Sequence, residues 1–414
     1  MRVLMVSWEY PPLVYGGLGR HVHGLSESLV ADGHEVTVLT QAYPGAPAEE
    51  TVRGVRVLRV RYAGDRSNFP RWVRGLNRVQ TGAGHTLLER WQPDVIHAHD
   101  WVAAEAGIEL ATAAGRPLVA TIHATEAGLW NGWITSPLSR ARHNTEAWMV
   151  RAATQTIVCS EAMRAEVAAA LTVSPDDLTK VHNAVDPAMW RTSCGERARA
   201  RAALGIPSAT PLVVLAGRIE WEKGGDVAVR ALRAIRNAHP GTHLVLAGTG
   251  SRRPTLEKLA RAHRVFRAVR FVGHLGQREL AALLGTADVA LVPSSYEPFG
   301  MVALEAAAAG TPVVAGAAGG LPEVVTTGQT GLLVPPRDAR ALAAAVVSVL
   351  DDSELATQLV SAAQRDIEAR FGWPVAARAT EKVYVEAVAD PRPPRRRPTG
   401  VRPGNVFTGE TTGR

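Results

Sequence analysis

Cysteine is almost absent: Cys159 and Cys194 are the only two in 414 residues. Their spacing fits no metal knuckle and no disulfide scaffold. Cys159 closes the apolar run Thr156 to Cys159, where burial is its expected fate and a reducing compartment the natural setting. Long apolar runs are missing too, none approaching the roughly 20 residues of a membrane span. The opening segment, Arg2 to Ser7, is too short for a signal-peptide core and has no cleavage pattern after it, so a cytoplasmic location is expected. No Asp-x-Asp pair occurs, which leaves a divalent metal gripping a diphosphate without obvious ligands. Gly17-Leu18-Gly19 is followed by Arg20, His21 and Val22, so the third glycine of a dinucleotide fingerprint is lacking and a nicotinamide cofactor is not expected.

What is present describes a globular chain long enough for two domains, with 46% hydrophobic and 21% charged residues. The formal net charge of +7 invites a nucleic-acid reading, but six arginines and one glutamate lie within 391–414, which leaves the body nearly neutral. Residues 390–414 are rich in Pro, Arg, Gly and Thr and cannot bury a core, so this stretch reads as a disordered, solvated tail and no nucleic-acid partner is expected.

Strand and helix patterns alternate through the body, the signature of α/β doubly wound parallel sheets. Strand-like runs include Val3 to Ser7, Glu35 to Thr40, Val55 to Val60, Asp94 to His97, Leu118 to Thr121, Gln155 to Cys159 and Lys180-Val181. The pattern pauses near Asn183 to Pro187 and restarts at Pro211 to Ala216, continuing to Gly331 to Val334. Two Rossmann-like domains, 1–186 and 187–372, are therefore expected, with a cleft between their carboxyl-end loops, where such sheets bind ligands. A last helical pattern covers 373–388. Between Arg66 and Trp91, five arginines alternate with Phe69, Trp72 and Trp91. That pattern suits peripheral membrane contact or an amphipathic helix with its tryptophans turned inward, and the second is favoured.

The most informative stretch runs from Ser294 to Glu305. An apolar strand, Ala287 to Pro293, leads through Pro298 and Gly300 into an Ala-rich helix. Glu297 then lies in the loop, Glu305 about one turn into the helix, and both can face one cleft. The amides of Gly300, Met301 and Val302 present a positive helix end to an anionic ligand. From the helix alone, a capped surface helix with two solvated glutamates reads equally well. A second strand-to-helix turn, Ala216 to Gly225, carries Arg218 and Lys223, which can neutralise a diphosphate by bidentate bonds and as a point charge. Glu220 and Glu222 there read as surface charges. In the first half, His97-Ala98-His99-Asp100-Trp101 and His123 end successive strands. Two histidines one residue apart suggest metal, but no further ligand stands nearby in sequence, so substrate-contact or structural histidines are expected and no metal.

The run Glu297 to Glu305, followed by Gly310-Thr311-Pro312-Val313-Val314-Ala315 and Gly319-Gly320-Leu321-Pro322-Glu323, resembles the Glu-x7-Glu region of retaining glycosyltransferases of GT-B fold, family 4 in particular. The loop Gly16-Gly17-Leu18 and the segment His97 to Trp101 are similar to those of glycogen and starch synthases within that group. The resemblance covers roughly 1–388 and implies a hexosyltransferase that moves glucose from an ADP- or UDP-sugar to a glucan-type acceptor by a front-face mechanism. It implies that 373–388 crosses back to complete the N-terminal acceptor domain, and that 187–372 holds the donor. His123 would hold the donor sugar near its C6 hydroxyl. Glu297 would bind sugar hydroxyls, Glu305 the ribose, and Arg218 and Lys223 the diphosphate. Gly17, Phe299, Gly300, Met301 and Val302 would complete the donor contacts, and Glu9, His99 and Asp100 would meet the acceptor. A transferase acting on a lipid or small-molecule acceptor, or a sugar-nucleotide epimerase, remains the alternative.

Overall fold

The computed structural model describes residues 1–390; the tail from Pro391 lies outside the described residues. The chain divides into two compact units, Met1–His182 with the segment from Trp373, and Asn183–Gly372. The division falls before Asn183 and not at 186/187, because Val185 donates its amide to the Phe371 carbonyl at 2.8 Å and so is held by the second unit.

The first unit is built on eight strands: β1 (Arg2–Val6), β2 (Glu35–Gln41), β3 (Glu49–Val52), β4 (Val55–Val60), β5 (Val95–His99), β6 (Leu118–Ile122), β7 (Gln155–Val158) and β8 (Leu178–Lys180), ordered β3-β4-β2-β1-β5-β6-β7-β8. All neighbours pair in parallel except β3 with β4. That hairpin has no counterpart in the sequence reading. Its edge strand, Glu-Glu-Thr-Val, buries no side chain and lacks alternation, although the turn Arg53-Gly54, with φ of 47° and 81°, has the handedness that tight hairpins require. The central strands are buried over nearly their whole length and mostly apolar, as strands covered on both faces tend to be.

The second unit has six parallel strands: β9 (Leu212–Ala216), β10 (His243–Ala247), β11 (Val269–Gly273), β12 (Val289–Val292), β13 (Val313–Gly316) and β14 (Leu332–Val334), ordered β11-β10-β9-β12-β13-β14. Its core joins Val213, Leu215, Leu246 and Leu291 of the sheet to Leu232 and Ile235 of helix Gly225–Ala238 and to Leu342 and Val346 of helix Ala339–Asp351. In each sheet the strand order reverses at one place, between β1 and β5 in the first and between β9 and β12 in the second. Connections leave these strands to opposite sides, so the loops at their carboxyl ends part and expose backbone amides.

Helix Trp373–Ala389 packs in the first unit against helix Gly17–Ala31. The approach is close enough that a Cβ at Gly24 would stand 2.1 Å from Trp373 Cε2. Helix Phe69–Leu88 carries Trp72, which is 1% exposed and packed with Leu76, Val73 and Val102, so that indole is turned inward. Among the described residues no helix is long and apolar enough to cross a membrane.

Glycine-to-alanine substitutions at two helical positions should move stability in opposite directions. Gly82→Ala, where a Cβ meets nothing within 4 Å, raises the unfolding free energy by up to about 1 kcal/mol. Gly24→Ala drives a methyl into the Trp373 ring, and overpacking of about 1–3 kcal/mol exceeds the helix gain. Urea unfolding of both variants checks the pair.

Candidate functional site

In the second unit the site starts from one pairing. β9 and β12 run parallel with Val213 opposite Val289 and Leu215 opposite Leu291, so the loops leaving their ends lie side by side. Ser295 donates its amide to the Glu222 carbonyl at 2.8 Å and ties the two loops together. Lys223 Nζ then reaches Glu297 Oε2 at 2.9 Å, and Ser294 Oγ donates to the same oxygen at 3.1 Å. Arg218 Nη2 meets Glu222 Oε1 at 2.8 Å. Glu222 is 2% exposed and is a buried counter-ion for the guanidinium, which corrects its reading as a surface charge: the short 3-10 turn Trp221–Lys223 rolls it under the loop. Glu220 instead accepts from the Ser251 amide and hydroxyl.

Gly300 precedes helix Met301–Ala308 with φ of 117°, a conformation that L side chains rarely adopt, and no side chain caps that helix. Its first amides are therefore not capped by a side chain. Two expectations change here. Phe299 is 2% exposed and its ring packs edge-on against Phe371 at 5.9 Å, so its side chain belongs to the interior. Glu305 is 0% exposed, while Glu297 stays partly open. Its Ala-rich helix is apolar nearly all round and is packed by helices Gln277–Gly285 and Ser353–Arg370, so one turn in is already interior. The two carboxylates do not share an open face, and Glu305 reaches a ligand only if what covers it moves.

In the first unit the carboxyl ends of β1, β5 and β6 adjoin. The helix after β1 begins at Gly17, behind Gly16 with no side-chain cap. Glu9 lies beneath this start, its Oε2 accepting the Tyr15 amide at 2.8 Å and the Gly16 amide at 3.3 Å. Burial pushes the Glu9 carboxyl up, against the loop amides that favour its charge. Asp100 takes φ 59° and ψ 168°, a region nearly reserved for glycine, and its Oδ1 accepts the His123 amide at 2.7 Å. Strain of that kind is retained where the surroundings dictate it. Burial of the carboxyl pushes Asp100 up to about 7, opposed by that amide bond.

His97 is a satisfied core residue, Nδ1 with the Tyr384 hydroxyl and Nε2 with the Thr121 hydroxyl, both at 2.7 Å. His99 and His123 are brought together, Nδ1 of the first 3.4 Å from Nε2 of the second. Burial holds both rings well below the usual imidazole range. His21 joins them, its ring centroid 4.8 Å from that of His123 and 5.6 Å from that of His99. Nothing in the short motifs singled it out. The available signal was position: His21 falls on the stripe of Leu18, Val22, Leu25 and Leu29, the buried face of its helix. Two buried acids were also missed. Glu126 Oε2 faces Arg142 at 3.3 Å, and Glu146 Oε1 accepts the Glu126 amide at 2.9 Å. Burial pushes Glu146 up to about 9, with Asp100 and Glu126 adding to the effect.

Two Rossmann-like units, with a cationic pair and a helix start at the switch point of the second, define the GT-B class of glycosyltransferases. Residues 15–189 match the description Glycosyltransferase Family 4, and residues 196–366 match Glycosyl transferases group 1. The chain belongs to this family and is a nucleotide-sugar-dependent hexosyltransferase. It is 44% identical to a glycogen synthase of Mycobacterium tuberculosis over 96% of this chain and 97% of the relative. It is 34% identical to a D-inositol 3-phosphate glycosyltransferase of Streptomyces scabiei over 94% and 92% of the two chains. The solved sucrose-phosphate synthase of Thermosynechococcus elongatus superposes with a TM-score of 0.78 at 27% identity, covering 93% of this chain and 98% of that one.

The raised carboxyl of Glu146 gives a testable sign. Its folded value lies above the unfolded one, so its contribution is fully present below about pH 4.5 and is lost as pH rises toward 9. Glu146→Gln, which has no proton to lose, should be more stable than the parent at pH 8 by about 1 kcal/mol or more, with the advantage shrinking toward pH 5. Thermal unfolding across that range measures it.

Proposed function

We propose that the chain is a retaining enzyme that transfers glucose from a nucleoside-diphosphate glucose, ADP- or UDP-linked, to a hydroxyl of a glucan-type acceptor, forming an α-1,4 bond. The observation that carries this reading is the arrangement at the ends of β9 and β12. There Arg218 and Lys223, with the amides of Gly300, Met301 and Val302, gather positive charge for a leaving diphosphate, and Glu297 stands beside them. The 44% identity to a protein named glycogen synthase supports the acceptor class.

In this reading a diphosphate draws Lys223 away from Glu297 and frees that carboxylate for sugar hydroxyls. The bond from sugar C1 to the diphosphate oxygen breaks as charge flows onto Arg218, Lys223 and the helix start. The acceptor oxygen bonds to C1 on the face the diphosphate leaves, and its proton passes to the departing phosphate oxygen. Stabilisation of developing charge by groups already in place is usually the largest catalytic contribution. The diphosphate clamp is cationic and needs no divalent ion. His123 serves the sugar near C6, while His99 and Asp100 serve the acceptor, with Glu9 holding the loop that begins the first helix. Neither Cys159 nor Cys194 forms a disulfide among the described residues, which suits action in the cytoplasm.

A phosphorylated small-molecule acceptor is the second reading, favoured by the relatives named D-inositol 3-phosphate glycosyltransferase. Offering glucan and inositol phosphate in parallel, with release of nucleoside diphosphate as the readout, separates the two.

Arg218→Ala and Lys223→Ala should each lower kcat/KM by roughly 10²-fold or more. Turnover should proceed without added Mg²⁺ or Mn²⁺. Full activity in both variants, or strict dependence on an added divalent ion, would overturn the clamp.

A further inference from the structure

We propose that the second unit carries a separate anion site, built to take the phosphate group of a small phosphorylated metabolite. A cavity of about 270 Å³ lies where helices Gly225–Ala238 and Arg253–Ala262 begin, bounded by Pro293 and Ser295 after β12 and by Arg337 ahead of helix Ala339–Asp351. Arg230, Arg252 and Arg337 line it from three separate segments, and the Trp221 indole supplies a flat apolar wall.

Charge at this cavity is not balanced. Two carboxylates line it and both are engaged: Asp226 Oδ2 holds Arg230 Nη1 at 2.9 Å, and Glu220 accepts the Ser251 amide at 2.7 Å and the Ser251 hydroxyl at 2.6 Å. Neither Arg252 nor Arg337 meets a carboxylate among the described residues; the Arg337 guanidinium lies instead 5.7 Å from the centre of the Trp221 ring. Two uncompensated cations at one hollow repel each other, a cost that an anion relieves. Hydrogen-bonding capacity is open as well. Helix Gly225–Ala238 has no side-chain cap, which leaves the amides of its first turn, and the buried Ser295 Oγ has no partner among the described residues.

The donor set and the volume select the ligand. Guanidinium forks, helix amides and a hydroxyl match the three terminal oxygens of a phosphate monoester better than the two of a carboxylate. The cavity falls just below the usual range of small-molecule pockets, roughly 300–1,000 Å³, so it suits a phosphate with one sugar-sized ring against Trp221 and not a nucleoside diphosphate.

This is not the diphosphate clamp. Arg218, Lys223 and Glu297 do not line the cavity. Helix Gly225–Ala238 shares its core with helix Ala339–Asp351, whereas helix Met301–Ala308 packs with Gln277–Gly285 and Ser353–Arg370, so the two helix starts lie on opposite faces of the sheet. Successive residues after β12 follow the same division: Ser294 turns to Glu297, and Ser295 lines the cavity. The site is therefore independent of the reading given to the clamp.

Calorimetric titration of the full chain with ribose 5-phosphate tests the site, with inorganic phosphate and ribose as the separate halves of that probe. One saturable event per chain is expected, weaker with inorganic phosphate and absent with ribose. Arg252→Gln and Arg337→Gln, both at exposed positions, should each weaken it by about 10-fold or more, and Arg267→Gln, at an exposed arginine elsewhere in the unit, should leave it unchanged. Binding should survive in Arg218→Ala and Lys223→Ala. No saturable binding, equal binding of ribose, or affinity unmoved in both Arg252→Gln and Arg337→Gln would overturn the site. Loss of binding in the two clamp variants would overturn it too, by placing the phosphate in the clamp. Crystals of the parent soaked with the probe give a second readout that needs no variant: phosphate between Arg252 and Arg337 supports the site, and phosphate elsewhere refutes it.

Discussion

Parallel pairing of two strands whose crossovers leave in opposite directions is the constraint on which the molecule depends. β9 and β12 are far apart in sequence, yet their register fixes the ends of both strands at one edge of the sheet. Without that pairing Lys223 and Glu297, 74 positions apart, would not meet. In the first unit the same geometry applies around β1 and β5, with β6 adding His123. The covered, apolar strands contribute rigidity, and the loops at their ends contribute chemistry.

The two sites manage buried charge differently. The second unit pairs its ions, Arg218 with Glu222 and Lys223 with Glu297, so each cation is held beside a carboxylate of its own. The first unit instead suppresses charge. Burial keeps His97, His99 and His123 below the usual imidazole range and lifts Asp100 and Glu146 above the usual carboxylate range. Such groups are costly to fold around, and the gathering of His99, Asp100 and His123 at the ends of β5 and β6 is the pattern expected of a functional region. The strained backbone of Asp100 at the same edge belongs to this pattern.

The sequence by itself determined the elements that apolar runs and glycine punctuation can write: the alternating strands, the helix after Gly300, and the turns that carry Arg218, Lys223 and Glu297. These signals are local, because a strand covered on both faces is mostly apolar and a helix start must expose amides. It also determined the family, through a motif run too long for chance. The tertiary structure alone decided which charges are buried and which residues meet. Glu222 reads as solvated until a 3-10 turn places it under Arg218, and Glu305 reads as facing an open cleft beside Glu297 until neighbouring helices bury it. The β3–β4 edge carried no alternation to see. His21 joined His99 and His123 only when three separated segments met at one sheet edge, since burial and proximity are properties of the whole packed chain and no short window of residues contains them.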